Sequence, residues 1–387
     1  MTTLLTFLGR APRQEGRYRT TCYDFGDGMD AEPAAFFGWP LRRRLGAERL
    51  IIMGTSGSMW DHLFDDGVNL PEGDHLRLMQ AVEEKRVTPD LLAPLTGPLA
   101  DHLGGCEVHL VLIPYCRTEK EQTDILSIMA HHVQANDRVH IDVTHGFRHL
   151  PMLALLAALY LRVARGASID GIWYGAYDPD TGQAPVHNLI GLLGIADWLQ
   201  ALNTYDKDGD YGAFAPLLGP AGEQLARAAF LERTNNPVKA REALTGWSSK
   251  PDRFPADDPA ATLFRRELEQ RVAWYKRRDR AAWEGALARQ YLDRGDYVRA
   301  AIFSLESAIS AEVLRSGGQV NQYEDRETAR DTLKHSTEGF RQLNNLRNAL
   351  AHGLQAHDGK IEKFLLDEIR LKRKLKELGE RLGVFYH

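Results

Sequence analysis

The chain has 387 residues, 43% of them hydrophobic and 26% charged, a balance that excludes a disordered or fibrous protein. At ~150 residues per domain it is long enough for about two domains. A net charge of -5 and a pI near 6.3 exclude a globally basic surface, so a polyanion would have to be met by a local patch. Cys22, Cys106 and Cys116 show no CxxC spacing, which argues against a disulfide framework or a zinc site and fits a reducing cytoplasm. The opening MTTLLTFLGRAPR has no basic run ahead of its apolar stretch and does not read as a signal peptide. The longest apolar stretch, Leu150 to Val163, is shorter than the roughly 20 residues of a membrane span and reads as a core helix. The expectation is a soluble, cytoplasmic protein with no membrane partner.

In chain order, LLTFLG (Leu4 to Gly9), RLIIMG (Arg49 to Gly54), VHLVLIP (Val108 to Pro114) and VHIDVTHG (Val139 to Gly146) are short apolar runs, each ended by a turn. Helical patterns lie between and after them at Asp74 to Glu84, Glu119 to Val133 and Pro151 to Ala164. Buried strands alternating with amphipathic helices indicate an α/β Rossmann-like domain, a mostly parallel sheet covered on both faces. Gly171 to Gly191 reads instead as a hairpin around an Asp-Pro-Asp-Thr-Gly turn.

Strand signals end near residue 192. Val298, Ile302, Leu305, Ile309 and Val313 mark one face of a helix, Leu343, Leu346 and Leu350 mark another, and Ile361 to Leu382 reads as a last, highly charged helix. Two domains are therefore expected. Residues 1–196 form the α/β domain and 197–387 an all-α region, divided into connecting helices at 197–290 and a helical core at 291–387. A proline-rich patch from Pro251 to Pro259 marks a loop. The basic runs Arg42 to Arg44, Lys276 to Arg278 and Arg370 to Lys376 read as solvated helix faces.

Ligands of open α/β sheets bind outside the carboxyl ends of the strands. One strand there runs into GTSGSMWD, where Gly54, Thr55, Ser56, Gly57 and Ser58 combine a tight backbone with hydroxyls and N–H donors. Another runs into Asp142 followed by Thr144, His145, Gly146 and Arg148. GTSGS lacks the Lys-Ser/Thr of a P-loop and is neither GxGxxG nor GxSxG. A polar cradle for phosphates and nucleotide edges remains. Each loop alone has a plainer account: a capped strand-to-helix turn, an Asp holding its own loop, a structural histidine. Their occurrence at two strand ends of one sheet favours binding.

DVTHG, Asp142 to Gly146, resembles the DxTHG signature of CRISPR-associated Rossmann-fold (CARF) sensor domains, and TFLG and GTSGSMWD are similar to the opening segments of that subfamily. The resemblance implies homodimerisation and binding of a cyclic oligoadenylate, tetra- or hexaadenylate, as allosteric activator, with Gly54 to Ser58 and Thr144 to Arg148 as contacts from both protomers. In the second half, LNNLRNALAHG contains Arg347, Asn348 and His352, which resemble the R-x4-6-H motif of HEPN ribonucleases. Both signatures in this order resemble the type III CRISPR accessory ribonucleases. That implies an all-α HEPN domain and metal-independent cleavage of single-stranded RNA in antiviral defence, with the 2'-OH as nucleophile. His352 can shuttle a proton, Arg347 can meet phosphate charge, and Asn348 would orient them. Five residues rotate a helix by ~500°, so Arg347 and His352 do not share a face, and a composite site across a dimer is expected. Gly353 would end the helix as a C-cap.

Other outputs stay open from the residues. These are a non-catalytic dimerisation module, a transcription regulator, and a sensor pocket that degrades its own ligand through Ser58 and His145. A metal nuclease is disfavoured, since no Asp/Glu/Lys cluster stands out and the adjacent His131 and His132 diverge on a helix.

Overall fold

Leu4 and Leu5 are adjacent and both fully buried, yet they belong to different cores on opposite faces of one sheet. Side chains alternate faces along a strand, so a run that is apolar throughout needs cover on both sides. The computed structural model describes residues 1–28, 32–65, 67–71, 73–146, 149–352 and 359–385, in two units, Met1–Gly194 and Ile195–His387.

The first unit holds an eight-stranded mixed sheet. Its strands are β1 (Thr2–Leu8), β2 (Thr21–Asp24), β3 (Glu32–Ala34), β4 (Arg49–Gly54), β5 (Glu107–Leu112), β6 (Arg138–Asp142), β7 (Ser168–Gly175) and β8 (Gln183–Asn188). The spatial order is β3-β2-β8-β7-β6-β1-β4-β5. The five strands from β7 to β5 run parallel, with Leu4 opposite Leu50 and His140 on either side of β1. β8 returns antiparallel to β7 as the expected hairpin, β2 pairs parallel with β8, and β3 closes the edge antiparallel to β2. The sheet is thus mixed and not simply parallel. The two added strands have four and three residues and include Pro33. That is too short for a readable alternation and suits only an edge.

Helices α1 (Gly38–Leu45), α2 (Asp74–Glu83) and α3 (Thr96–His102) cover one face, packing Leu41, Leu78, Val82 and Leu99 against Leu4, Leu50 and Ile52. Helices α4 (Glu119–His131) and α5 (Leu150–Arg165) cover the other, packing Ile125, Met129, Leu153, Ala157 and Leu161 against Leu5, Ile51 and Ile141. α5 is apolar on both sides. Its outer side exposes Met152, Leu156, Tyr160 and Val163, with Met152 and Val163 about three-quarters accessible (74% and 77%). No helix among the described residues is long and apolar enough to cross a membrane.

The second unit is helical. Its helices are α6 (Gly191–Asp208, which begins in the first unit), α7 (Gly222–Arg233), α8 (Pro237–Ser248), α9 (Pro259–Arg271), α10 (Arg280–Arg294), α11 (Tyr297–Arg315), α12 (Tyr323–Ser336), α13 (Glu338–His352), α14 (Gly359–Leu365) and α15 (Glu368–Arg381). One apolar core runs from Trp198 through Trp247, Leu287 and Phe303 to Leu343 and Leu378, so the segment 197–290 shares its packing with the helices after it. Capping sets several boundaries. The Asp258, Asp279 and Asp296 carboxylates accept from backbone N–H groups at the starts of α9, α10 and α11. The last charged stretch is two helices, not one, because Asp367 leaves helical geometry and accepts from Arg370 N at 3.1 Å, starting α15 afresh. Buried Glu232 accepts from Tyr291 Oη at 2.7 Å, and burial pushes its carboxyl up to about 7.

Ile51, fully buried in β4, tests the two-faced core. Replacing it with Ala is expected to lower the unfolding free energy by about 3 kcal/mol in a denaturant titration, the usual cost of a large-to-small change in a packed interior.

Candidate functional site

The carboxyl ends of β1, β4, β5 and β6 lie side by side, and the loops that leave them enclose a cavity of about 310 Å³. Gly9 and Arg10 follow β1, Gly54 to Ser58 follow β4, Tyr115 follows β5, and Gly146 follows β6. Among the parallel strands, β4 and β5 succeed β1 on one side and β6 follows on the other side of β1, so the crevice between β1 and β6 is a switch point of the sheet. The two loops there touch. A Cβ on Gly9 would stand 2.8 Å from the Gly146 backbone nitrogen, which only glycine avoids.

Asp142 fixes this junction. It pairs in register with Thr6, whose hydroxyl donates to Asp142 Oδ2 at 2.6 Å, while Thr144 N donates to Oδ1 at 2.8 Å. The carboxyl is fully buried, and that desolvation raises it from its ordinary 3.8 to about 6 against the lowering effect of both hydrogen bonds. The GTSGS loop is braced in the same way. Ser58 Oγ accepts from Thr55 N at 2.9 Å, and Trp60 Nε1 donates to Thr55 O at 2.8 Å. Both Thr55 and Ser58 are buried, so Ser58 is committed to the turn and poorly suited to act as a nucleophile.

Of the residues expected to contact a ligand, Gly54, Thr55, Gly57, Ser58 and Gly146 line the cavity. Ser56 is not among the lining residues, and its hydroxyl lies 3.1 Å from Oη of Tyr115, which is. Thr144 Oγ1 accepts from Gly175 N at 2.9 Å and so serves the adjoining strand. His145 turns toward the sheet's other loops. Its Nε2 accepts from Phe37 N at 3.0 Å, a bond that needs the neutral ring, and burial pushes its pKa down to about 4. It is not among the lining residues. Arg148 lies outside the described residues.

Three polar lining residues went unnoticed in the sequence: Arg10, Lys85 and Tyr115. Tyr115 and Arg10 stand just beyond strands, so the rule that selected the first two loops, applied to every strand end, would have found them. Lys85 had no such signal. It ends α2 in a left-handed conformation (φ 55°), where glycine is usual, and carries its side chain over the GTSGS loop. A Cβ on Gly57 would stand 3.1 Å from both Lys85 Cγ and Tyr115 Oη, so Gly57 lets the two close over the loop. The Tyr115 hydroxyl is lowered from its usual 10 by hydrogen bonds from Ser56 and Thr55 and by the Lys85 and Arg117 charges. The cavity therefore offers an anion the Lys85 ammonium and a donor-rich wall, with Arg10 beside it paired to Glu83 at 2.8 Å.

The second set of residues lies on α13. Phe340, Leu343, Leu346 and Ala349 are buried on one side, while Asn345, Asn348 and His352 are exposed on the other. Asn348 and His352 are four residues apart and share a face. Arg347 is half-buried at the edge of the core side, its Nη2 3.4 Å from Asn344 Oδ1. One α13 helix thus presents Asn348 with His352 and turns Arg347 ~140° away from that histidine. Gly353, expected as the C-cap, lies outside the described residues. Among the described residues no cluster of three or more His, Cys, Asp or Glu could hold a metal.

No protein-family profile matches the chain. The CRISPR-associated protein MJ1674 of Methanocaldococcus jannaschii is 20% identical to it over 391 aligned residues, which cover 87% of the chain. The chain spans 59% of that relative's length.

The raised Asp142 carboxyl has a signed consequence. The folded state holds its proton more tightly than the unfolded state, so the contribution to stability is present below the ordinary carboxyl pKa and is lost as pH rises through about 6. Relative to Asp142→Asn, the wild-type chain is expected to lose about 2 kcal/mol between pH 4 and 6. Glu232, shifted the same way, is common to both proteins and cancels. Parallel denaturant titrations across this range check it, and a pH-independent difference would refute the burial account.

Proposed function

We propose that the protein is a CRISPR-associated, cyclic oligoadenylate-activated ribonuclease: a CARF-type sensor unit followed by a HEPN-type helical unit that cuts single-stranded RNA without a metal. The name of the relative matched over 87% of the chain supports the CRISPR association. The observation that carries the enzymatic part is on α13. Its RNALAH stretch keeps Asn348 and His352 at the surface of a helix whose opposite face is packed in the core, a polar pair that folding does not require.

In this reading His352 takes the proton of the RNA 2'-OH as the oxygen attacks the adjacent phosphorus. Arg347 meets the charge that grows on the phosphate oxygens. The P–O5' bond breaks, and a 2',3'-cyclic phosphate and a 5'-OH result. Because Arg347 and His352 diverge on one helix, two α13 helices facing each other across a two-fold axis complete the site, each supplying what the other turns away. The exposed apolar stripe of α5 supports a second copy as partner, since Met152, Leu156, Tyr160 and Val163 leave a face that a single chain does not cover.

In the sensor, the 310 Å³ cavity has room for one nucleotide unit and not for a ring of four or six, so a ring would be shared by two protomers. Lys85 and Arg10 would face phosphate, with Gly54 to Ser58 and Gly146 closing on the nucleotide. Activation then requires that the ligand bind the cleavage-competent arrangement more tightly than the resting one.

The deciding measurement is cleavage of a fluorescent single-stranded RNA in EDTA, with and without cyclic tetra- and hexaadenylate. Cleavage with one ring size is expected, and Arg347→Ala or His352→Ala should each lower kcat/KM at least about 100-fold. Lys85→Ala should raise the activator concentration for half-maximal rate about tenfold and leave the saturated rate near wild type. Leu156→Glu with Val163→Glu should convert a dimer to monomers in sedimentation equilibrium and abolish cleavage. A folded dimer that cuts nothing under any of these conditions would remove the ribonuclease and leave a sensor with another output.

A further inference from the structure

Beside the exposed face of α13 lies a groove of about 660 Å³, formed with α14 and α15. Its floor is apolar, from Leu346, Ile361, Phe364 and Leu378, and its rim carries Lys363, Arg370, Arg373 and Lys374 with no carboxylate among the lining residues. In a chain of net charge -5 this concentration of cations is a local exception. Arg370 pairs with Asp367 at 2.9 Å and Lys374 with Glu377 at 3.0 Å. Among the described residues Lys363 and Arg373 have no ion-pair partner, and both are exposed.

We infer that this groove is the track for the substrate strand, where Lys363, Arg370, Arg373 and Lys374 hold consecutive phosphates of a single-stranded RNA and lead it to His352. The inference rests on the ribonuclease reading for its direction, not for the groove itself. Three features favour a single strand. Arg370, Arg373 and Lys374 share one face of α15 at i, i+3 and i+4 and can follow a backbone, Lys363 adds a cation from α14, and the half-buried Phe364 gives an unstacked base an aromatic surface. Asn345, on the groove's edge, precedes His352 by seven residues, which places the two within about 20° of each other around the helix and ~10 Å apart along it. A strand leaving the groove past Asn345 therefore meets His352 on the same face. The exposed pairs to Asp367 and Glu377 are weak and readily exchanged for phosphate.

The test uses the full-length chain carrying His352→Ala, so that RNA is bound and not consumed, with a short fluorescein-labelled single-stranded RNA followed by anisotropy. Adding Lys363→Gln and Arg373→Gln should weaken binding about tenfold. It should also flatten the log-log salt dependence by about 1.4, at ~0.7 per phosphate contact on single strands. Lys239→Gln, an exposed lysine of α8 in the same unit, should change neither. Unlabelled duplex RNA should compete poorly, because its bases are stacked and its phosphates follow a different path. With His352 restored, the Lys363→Gln/Arg373→Gln chain should show a raised KM and an almost unchanged kcat. Affinity and salt slope equal to those of the parent, or equal competition by duplex, would overturn the groove. If the double variant binds and cleaves like wild type, the groove falls and the ribonuclease stands. If wild type binds RNA through these cations but never cuts it, the ribonuclease falls and the groove stands.

Discussion

The first unit is organised around one buried carboxylate. Asp142 sits at the end of a central strand, receives the Thr6 hydroxyl from its neighbour in register, and receives Thr144 N from the loop it begins. A carboxylate without solvent is costly unless donors surround it. Its rise to about 6 indicates that two hydrogen bonds only partly offset that cost. The return is geometric. The carboxylate fixes the first turn of the DVTHG loop relative to β1, and the loop after β1 can then approach Gly146 closely enough that Gly9 tolerates no side chain. An unconstrained loop at the switch point would leave the cavity's fourth wall undefined.

The two candidate sites solve the problem of an anionic ligand differently. The cavity at the strand ends uses hydroxyls, backbone groups and a few cations, with Lys85 and Tyr115 closed over Gly57. Such a site discriminates by shape, because few charges have to be neutralised and the walls are braced by Thr55, Ser58 and Trp60. The groove on α13 to α15 is a charged track on a greasy floor, with long flexible cations on its rim. Charge on flexible stems favours a polymer of varied sequence, since each phosphate presents the same target. Under the proposed function, the cavity would serve a small ligand and the groove a polymer, the two sites that a ligand-gated nuclease would need.

The sequence was most informative where one physical rule acted alone. Fully apolar strands such as RLIIMG had to be covered on both faces, and the loops at their carboxyl ends had to meet, because parallel strands bring those ends to one edge, where they line a cavity. It was least informative where tertiary contacts decided. Residues 21–24 and 32–34 became strands only because β8 offered them an edge. Lys85 joined the cavity through a left-handed backbone that no local pattern announces. His145, by motif a ligand contact, is hydrogen-bonded to Phe37, a partner more than a hundred residues away in the chain. The split between α14 and α15 was readable in principle, since Asp367 followed by Glu368 is a normal helix start, but the charge density around it hid the cap.

The geometry of α13 constrains how any activity could be switched. Core packing through Leu343, Leu346 and Ala349 holds the helix's rotation, so Arg347 cannot swing round to join His352 without unpacking Leu346. Turning one helix by ~140° would expose several buried side chains at roughly 2 kcal/mol each, far more than a typical allosteric coupling of 1–3 kcal/mol can supply. Moving two intact helices relative to each other breaks none of this packing. In the proposed reading, activation would be a change in how copies of the chain are arranged, and a ligand shared between two protomers would be well placed to bias such a change because it would contact both at once.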